Sequence, residues 1–261
     1  RLLRRAAEGE VASPPGRLMS FISDYALENT LSQLGPPWRR WCQSIRSHGL
    51  EGEPLGRFAP CLRNVPSNMW LDPLAEYLVD NPQQLRARPR FGLQRVRVVL
   101  ETFNCIDELF SGCGAVRHLD ACLTPKFARQ AETWIRRALQ QADCPTADEL
   151  AGLFDPIIEQ IQHDAGETAA KVLRAWLDTH RPTYGAATDL ARRTNVSRVR
   201  IYQVLEICGQ VMRVRWPDGA WYLATLSTHL QQRHADDLVL QTIDRAIEVF
   251  YRETNAQSEG N

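Results

Sequence analysis

Apolar residues recur every three to four positions along most of this chain, the spacing of amphipathic helices. One such stretch runs from about Leu18 to Leu34. Pro36-Pro37 then opens a second, with Trp38, Trp41 and Ile45 on one face. Leu74, Tyr77 and Leu78 form a short stripe, and Asn81 is placed to cap a helix that begins at Pro82. Pro89-Arg90-Phe91-Gly92 predicts a tight turn into a helix with Val96, Val99, Leu100 and Phe103 inside. Three more stripes follow. Trp134, Ile135 and Leu139 line a helix from Pro125 to about Gln141. Ala170, Leu173, Trp176 and Leu177 line one from Glu167 to His180, and Val239, Ile243, Ala246, Ile247 and Phe250 line one from Asp236 to Glu253. Thr146 and Glu149 have capping-box spacing.

Between the last two stripes, Thr188 to Glu206 meets three separate requirements in one window. A short helix turns Leu190 and Ala191 inward. Asn195 falls where the backbone must go left-handed, which Asn tolerates better than most residues. Ser197 can cap a second helix that buries Ile201 and Val204. This is the layout of a helix-turn-helix. It leaves Ser197, Arg198, Val199, Arg200, Tyr202 and Gln203 exposed on the half that such a helix pushes into a major groove. Arg pairs with guanine edges and Gln with adenine edges, while Ser and Tyr more often hold phosphates. Arg192 and Arg193, at the end of the first helix, join this candidate DNA-facing set.

Val211 to Leu223 adds alternation. Arg213 and Arg215 fall on one side, Met212, Val214 and Trp216 on the other, as in a strand. Pro217-Asp218-Gly219 is a turn, and Ala220 to Leu223 a returning strand. Such a hairpin would be a wing, with Arg213 and Arg215 over phosphates. The expected fold is therefore mainly α, in two helical domains, the second a winged helix-turn-helix with a short β-hairpin. The expected domains span 1–143 and 167–261, joined by a linker or connecting helix over 144–166 with Gly166 as a hinge.

A chain of 261 residues suits two domains. Its 31 basic and 31 acidic residues cancel, so it is no polycation, and local clustering carries the signal. Seven arginines between Arg181 and Trp216 face only Asp189 and Glu206. Five arginines and no acid lie between Arg86 and Arg97. There Arg88, Arg90, Gly92, Arg95 and Arg97 form a possible second basic site, since Gly92 lets a backbone approach and free amides at a helix start can receive a phosphate. An ordinary helical hairpin with a solvated basic face reads the same residues equally well.

Seven cysteines without a CxxC pair imply reduced thiols in a cytosol. Cys105, Cys113, His118 and Cys122 match none of the usual structural zinc spacings, so neither metal nor cofactor is expected. No apolar run approaches the roughly 20 residues of a membrane span, and no secretory signal is visible, so the expected location is cytoplasmic. The chain lacks GxxxxGK[ST], HExxH and GxSxG motifs and a GxGxxG after a strand, and its histidines are scattered. An enzyme is not expected.

Two stretches resemble known families. Val196 to Glu206, V-S-R-V-R-I-Y-Q-V-L-E, resembles the recognition helix of region four of bacterial RNA polymerase sigma factors. Those factors read a promoter element with a V-[ST]-R-x-R-I-x-Q-[IV]-E pattern. The resemblance implies that Arg198, Arg200 and Gln203 face DNA. Region four has no wing, and here an extra residue precedes Glu206, so a winged regulator covers the whole second domain better. Leu74 to Leu100 is similar to the C-terminal domain of the polymerase alpha subunit, through Leu85, Arg90-Phe91-Gly92 and Val96. Gln94 and Arg95 stand where that signature has Lys-Ser. That likeness implies minor-groove contact. The expected activity is sequence- or structure-specific binding of double-stranded DNA in bacterial transcription regulation. RNA polymerase and a second copy, joined through the C-terminal helix, are the further expected partners. The alternatives are a protein-interaction module on the same scaffold and, more remotely, an enzyme with an unrecognised site.

Overall fold

Pro36 and Pro37 lie at the start of helix α1 (Gly35–Ser47), whose Trp38 and Ile45 are wholly buried. The computed structural model describes Leu31 and residues 34–89, 91–111, 124–178 and 186–252. Its described residues form 11 α-helices with short 3₁₀ turns and no strand, so the chain is mainly α. It divides into two units, residues 1–119 and 120–261.

In the first unit α1 is followed by two single-turn helices, α2 (Leu55–Phe58) and α3 (Gln83–Arg86), and by the long α4 (Leu93–Phe110). The Trp38 ring stacks on Phe103 of α4 at 4.9 Å, and its indole N–H donates to the Val79 carbonyl at 2.6 Å. Val96, Val99, Leu100 and Phe103 are all fully buried, as the spacing predicts. Asn81 Oδ1 accepts from the Gln83 amide at 2.9 Å, the expected cap. The helix expected over Leu18–Leu34 lies almost wholly outside the described residues.

The second unit contains α5 (Lys126–Gln140), α6 (Ala151–Ala165), α7 (Glu167–Leu177), α8 (Ala186–Thr194), α9 (Arg198–Arg215), α10 (Gly219–Gln232) and α11 (Asp237–Tyr251). Residues 144–166 belong to it. Thr146 and Glu149 bond reciprocally, the Glu149 carboxylate accepting from the Thr146 amide at 2.7 Å, and α6 then packs against α5 and α7. Gly166, with φ of 101°, is the corner between α6 and α7, a backbone shape that favours glycine.

Helix α9 is central, packing against α6, α7, α8 and α11. A Cβ at Gly209 would lie 2.6 Å from the Val249 carbonyl, so the missing side chain lets α9 and α11 meet backbone to backbone. The apolar stripe of α11, Val239, Ile243, Ala246 and Phe250, is buried within this unit. The stripe that could have formed a dimer seam is thus occupied within the chain.

The expected hairpin over Val211 to Leu223 is absent. Helix α9 runs on to Arg215, the chain turns at Trp216, Pro217 and Asp218, and α10 begins at Gly219. Helical register explains the difference. Ile201, Val204, Leu205, Cys208, Val211 and Met212 continue one three-to-four repeat, and all six are buried. The alternation of Met212, Val214 and Trp216 also fits the end of a buried helix, since all three lie inside. The turn itself is as predicted, but it joins helices. Gly219 keeps a negative φ among the described residues; glycine is needed there for space, because a Cβ would run into Tyr251 Oη and the Trp216 ring.

Candidate nucleic-acid interface

Helices α8 and α9 form the predicted corner. Leu190 is buried in the middle of α8, and the Thr194 hydroxyl at its end donates back to the Leu190 carbonyl at 2.7 Å. Asn195 adopts φ of 54°, the left-handed conformation that its residue type tolerates. The Val196 amide closes the turn on the Ala191 carbonyl at 3.1 Å. Ser197 caps α9, its hydroxyl accepting from the Arg200 amide at 3.3 Å. Ile201 and Val204 then enter the core.

This arrangement leaves one side of the first turn and a half of α9 facing solvent. Ser197, Arg198, Val199, Arg200, Tyr202 and Gln203 are all exposed, and Val199 and Tyr202 are 69% and 51% accessible. Arg192 and Arg193 of α8 are exposed as well, with Arg192 Nη1 a loose 3.6 Å from Asp189. Arg200 Nη1 donates to Gln203 Oε1 at 3.3 Å, so these two side chains share one face. Four arginines, two polar side chains and two large apolar or aromatic ones therefore border one helix start.

Arg213 and Arg215 do not belong to that face. They sit at the other end of an 18-residue helix, about 25 Å away along its axis. Arg213 Nη2 bonds Glu206, seven residues back on the same side, at 3.0 Å. Arg215 is buried against Asp164 of α6: Nε donates to Oδ2 at 2.8 Å and Nη2 to Oδ1 at 2.9 Å. Gln160 Nε2 adds a third bond to the same carboxylate at 2.7 Å. The strand pattern made both arginines wing residues; the helix turns one along its flank and the other inward.

The second basic site is only partly assembled. Arg90 lies outside the described residues. Arg88, Arg95 and Arg97 are half-buried, and Arg95 Nη2 reaches Asn68 Oδ1 at 3.4 Å. Gly92 caps α4 with φ of −72°, and a Cβ there would meet nothing within 4 Å, so no close backbone approach explains this glycine.

Sequence reasoning missed Asp164, Gln160 and the exposed Trp221 of α10. The spacing of Gln160 and Asp164 on α6 was a visible signal for a paired acid, but its partner is 51 residues away. Of the cysteine–histidine group weighed for zinc, Cys113, His118 and Cys122 lie outside the described residues. Burial pushes the thiols of Cys105 and Cys208 up to about 12, and that of Cys42 to about 11, which extends their protonated range well above neutral pH. Among the described residues no helix is long and apolar enough to cross a membrane. No protein-family model matches the chain, and no curated protein or solved structure matches it.

Proposed function

We propose that the chain binds double-stranded DNA through α8 and α9, as a regulator of bacterial transcription without a wing. The observation that carries this reading is the exposed start of α9, where Arg198, Val199, Arg200, Tyr202 and Gln203 stand clear of the core behind an Asn195 turn and a Ser197 cap. A capped helix start with arginines and a carboxamide suits base edges in a major groove. Val199 suits a thymine methyl group. Arg192, Arg193 and Ser197 suit the flanking phosphates, where each contact strengthens binding in a salt-dependent way. The likeness of Val196 to Glu206 to sigma region four points to promoter DNA and to RNA polymerase as a second partner.

A mobility-shift titration on random duplexes, repeated at rising salt, tests this. Arg198→Ala should cost about 1–3 kcal/mol and relax preference at one base. Removing Arg192 and Arg193 together should weaken all duplexes alike and flatten the salt slope by about one unit per lost contact. If none of these changes alters binding to any duplex, the face is not a DNA reader. The exposed Val199 and Tyr202 favour the second reading, a protein-docking face; it predicts affinity for a partner protein that these apolar residues control and salt barely affects.

A further inference from the structure

The bond between Arg200 and Gln203 alters what this face can recognise. A free glutamine reads adenine with both ends of its carboxamide, the oxygen accepting from the N6 amino group and the nitrogen donating to N7. Guanidinium groups only donate. Gln203 therefore has to turn its oxygen toward Arg200, as it does at 3.3 Å. The carboxamide is planar, with oxygen and nitrogen on opposite sides, so that orientation leaves the amino group facing outward. Arg200 keeps its remaining N–H groups, and it too has no acceptor to offer. Glu206, one turn further on, accepts from Arg213 Nη2 at 3.0 Å and Gln210 Nε2 at 3.3 Å, so it is already engaged elsewhere. With the Gln203 oxygen turned to Arg200, the groups this pair turns outward are N–H donors.

We infer that Arg200 and Gln203 act as one donor-only element that selects guanine over adenine at the base pair facing Gln203. Guanine offers two acceptors, N7 and O6, on its major-groove edge, and each can take an N–H from this pair. Adenine offers one acceptor beside the N6 donor, which would meet another N–H. Arg200 is then a specificity-determining residue acting partly through its neighbour. The inference rests on the reading of α9 as a duplex reader, and the two can fail separately.

Selection from a random duplex pool with the full chain tests it, using the parent, Gln203→Ala and Arg200→Ala proteins. Both positions are exposed, so neither change disturbs the core. The base pair whose preference falls in Gln203→Ala is the one that Gln203 faces. There the parent should favour guanine over adenine by roughly tenfold or more. Arg200→Ala releases the carboxamide oxygen and should bring adenine to parity or above. An adenine preference in the parent, an unchanged guanine preference in Arg200→Ala, or no altered position in Gln203→Ala would each overturn the donor pair. Failure of all three proteins to enrich any duplex would overturn the duplex reading beneath it.

Discussion

Asp164 and Arg215 form a two-bond ion pair inside the second unit, with Asp164 wholly inaccessible and contacts of 2.8 and 2.9 Å. The pair ties the last turn of α9 to the last turn of α6. A buried pair is costly to break from one side, because the remaining charge keeps its desolvation penalty without its partner. Asp164→Ala should therefore cost about 3–5 kcal/mol in a denaturant titration. Asp164→Leu combined with Arg215→Met should recover most of that loss. A single variant within about 1 kcal/mol of the parent would show that the pair is not formed in solution.

Gly209 makes a second prediction, of opposite origin. In an exposed helix an alanine would be better than glycine by about 1 kcal/mol. Here the added Cβ meets the Val249 carbonyl at 2.6 Å, and a backbone oxygen in α11 cannot swing aside like a side chain. Overpacking of this kind costs about 1–3 kcal/mol. Gly209→Ala should thus lower the melting temperature. A raised one would mean that α9 and α11 sit further apart.

What could be read from the sequence was short-range. The Asn81 bond to Gln83, the Thr146–Glu149 box and the Ser197 cap of α9 all span three residues or fewer, and each is made. The exposed start of α9 was legible for the same reason, since it depends on a local cap and a helical repeat. The hairpin expectation failed because Met212, Val214 and Trp216 satisfy period two and the buried end of a helix equally well. The contacts that decide between them are distant: Gly209 against Val249, Arg215 against Asp164, and the Tyr251 hydroxyl donating to the Trp216 carbonyl at 2.7 Å. A single sequence does not encode those pairings in any local pattern, so the fate of Arg213 and Arg215 was hidden with them.

Cys208 predicts how stability responds to alkali. Burial raises its thiol from 9.0 to about 12. Well below pH 9.0 both folded and unfolded chains hold this proton, and the group has no effect on stability. Between there and about 12 the unfolded chain releases a proton that the folded chain keeps, so stability falls as pH rises. The slope for one group is about 1.4 kcal/mol per pH unit. Tyr251, whose phenol burial also pushes up, acts in the same direction at higher pH. Unfolding titrations on either side of pH 9.0 should show a flat region followed by a decline, and Cys208→Ala should make that decline shallower. An identical decline in both proteins would place the thiol in contact with water.

Asn195 connects the turn to the presentation of α9. Its φ of 54° is accessible to glycine without strain, whereas a β-branched residue loses roughly 1–2 kcal/mol there. Asn195→Gly should therefore be close to neutral. Asn195→Val should open the turn, but the damage should stay local. The C-terminal two-thirds of α9 is held by Cys208, Val211 and Met212 in the core, while its first turn depends on Ser197 and the α8 corner. Hydrogen exchange separates the two ends. In Asn195→Val the amides of Ile201 and Tyr202 should lose protection while those of Val211 and Met212 keep theirs. Equal loss at both ends would mean that α9 unfolds as one piece and that its exposed end does not open independently.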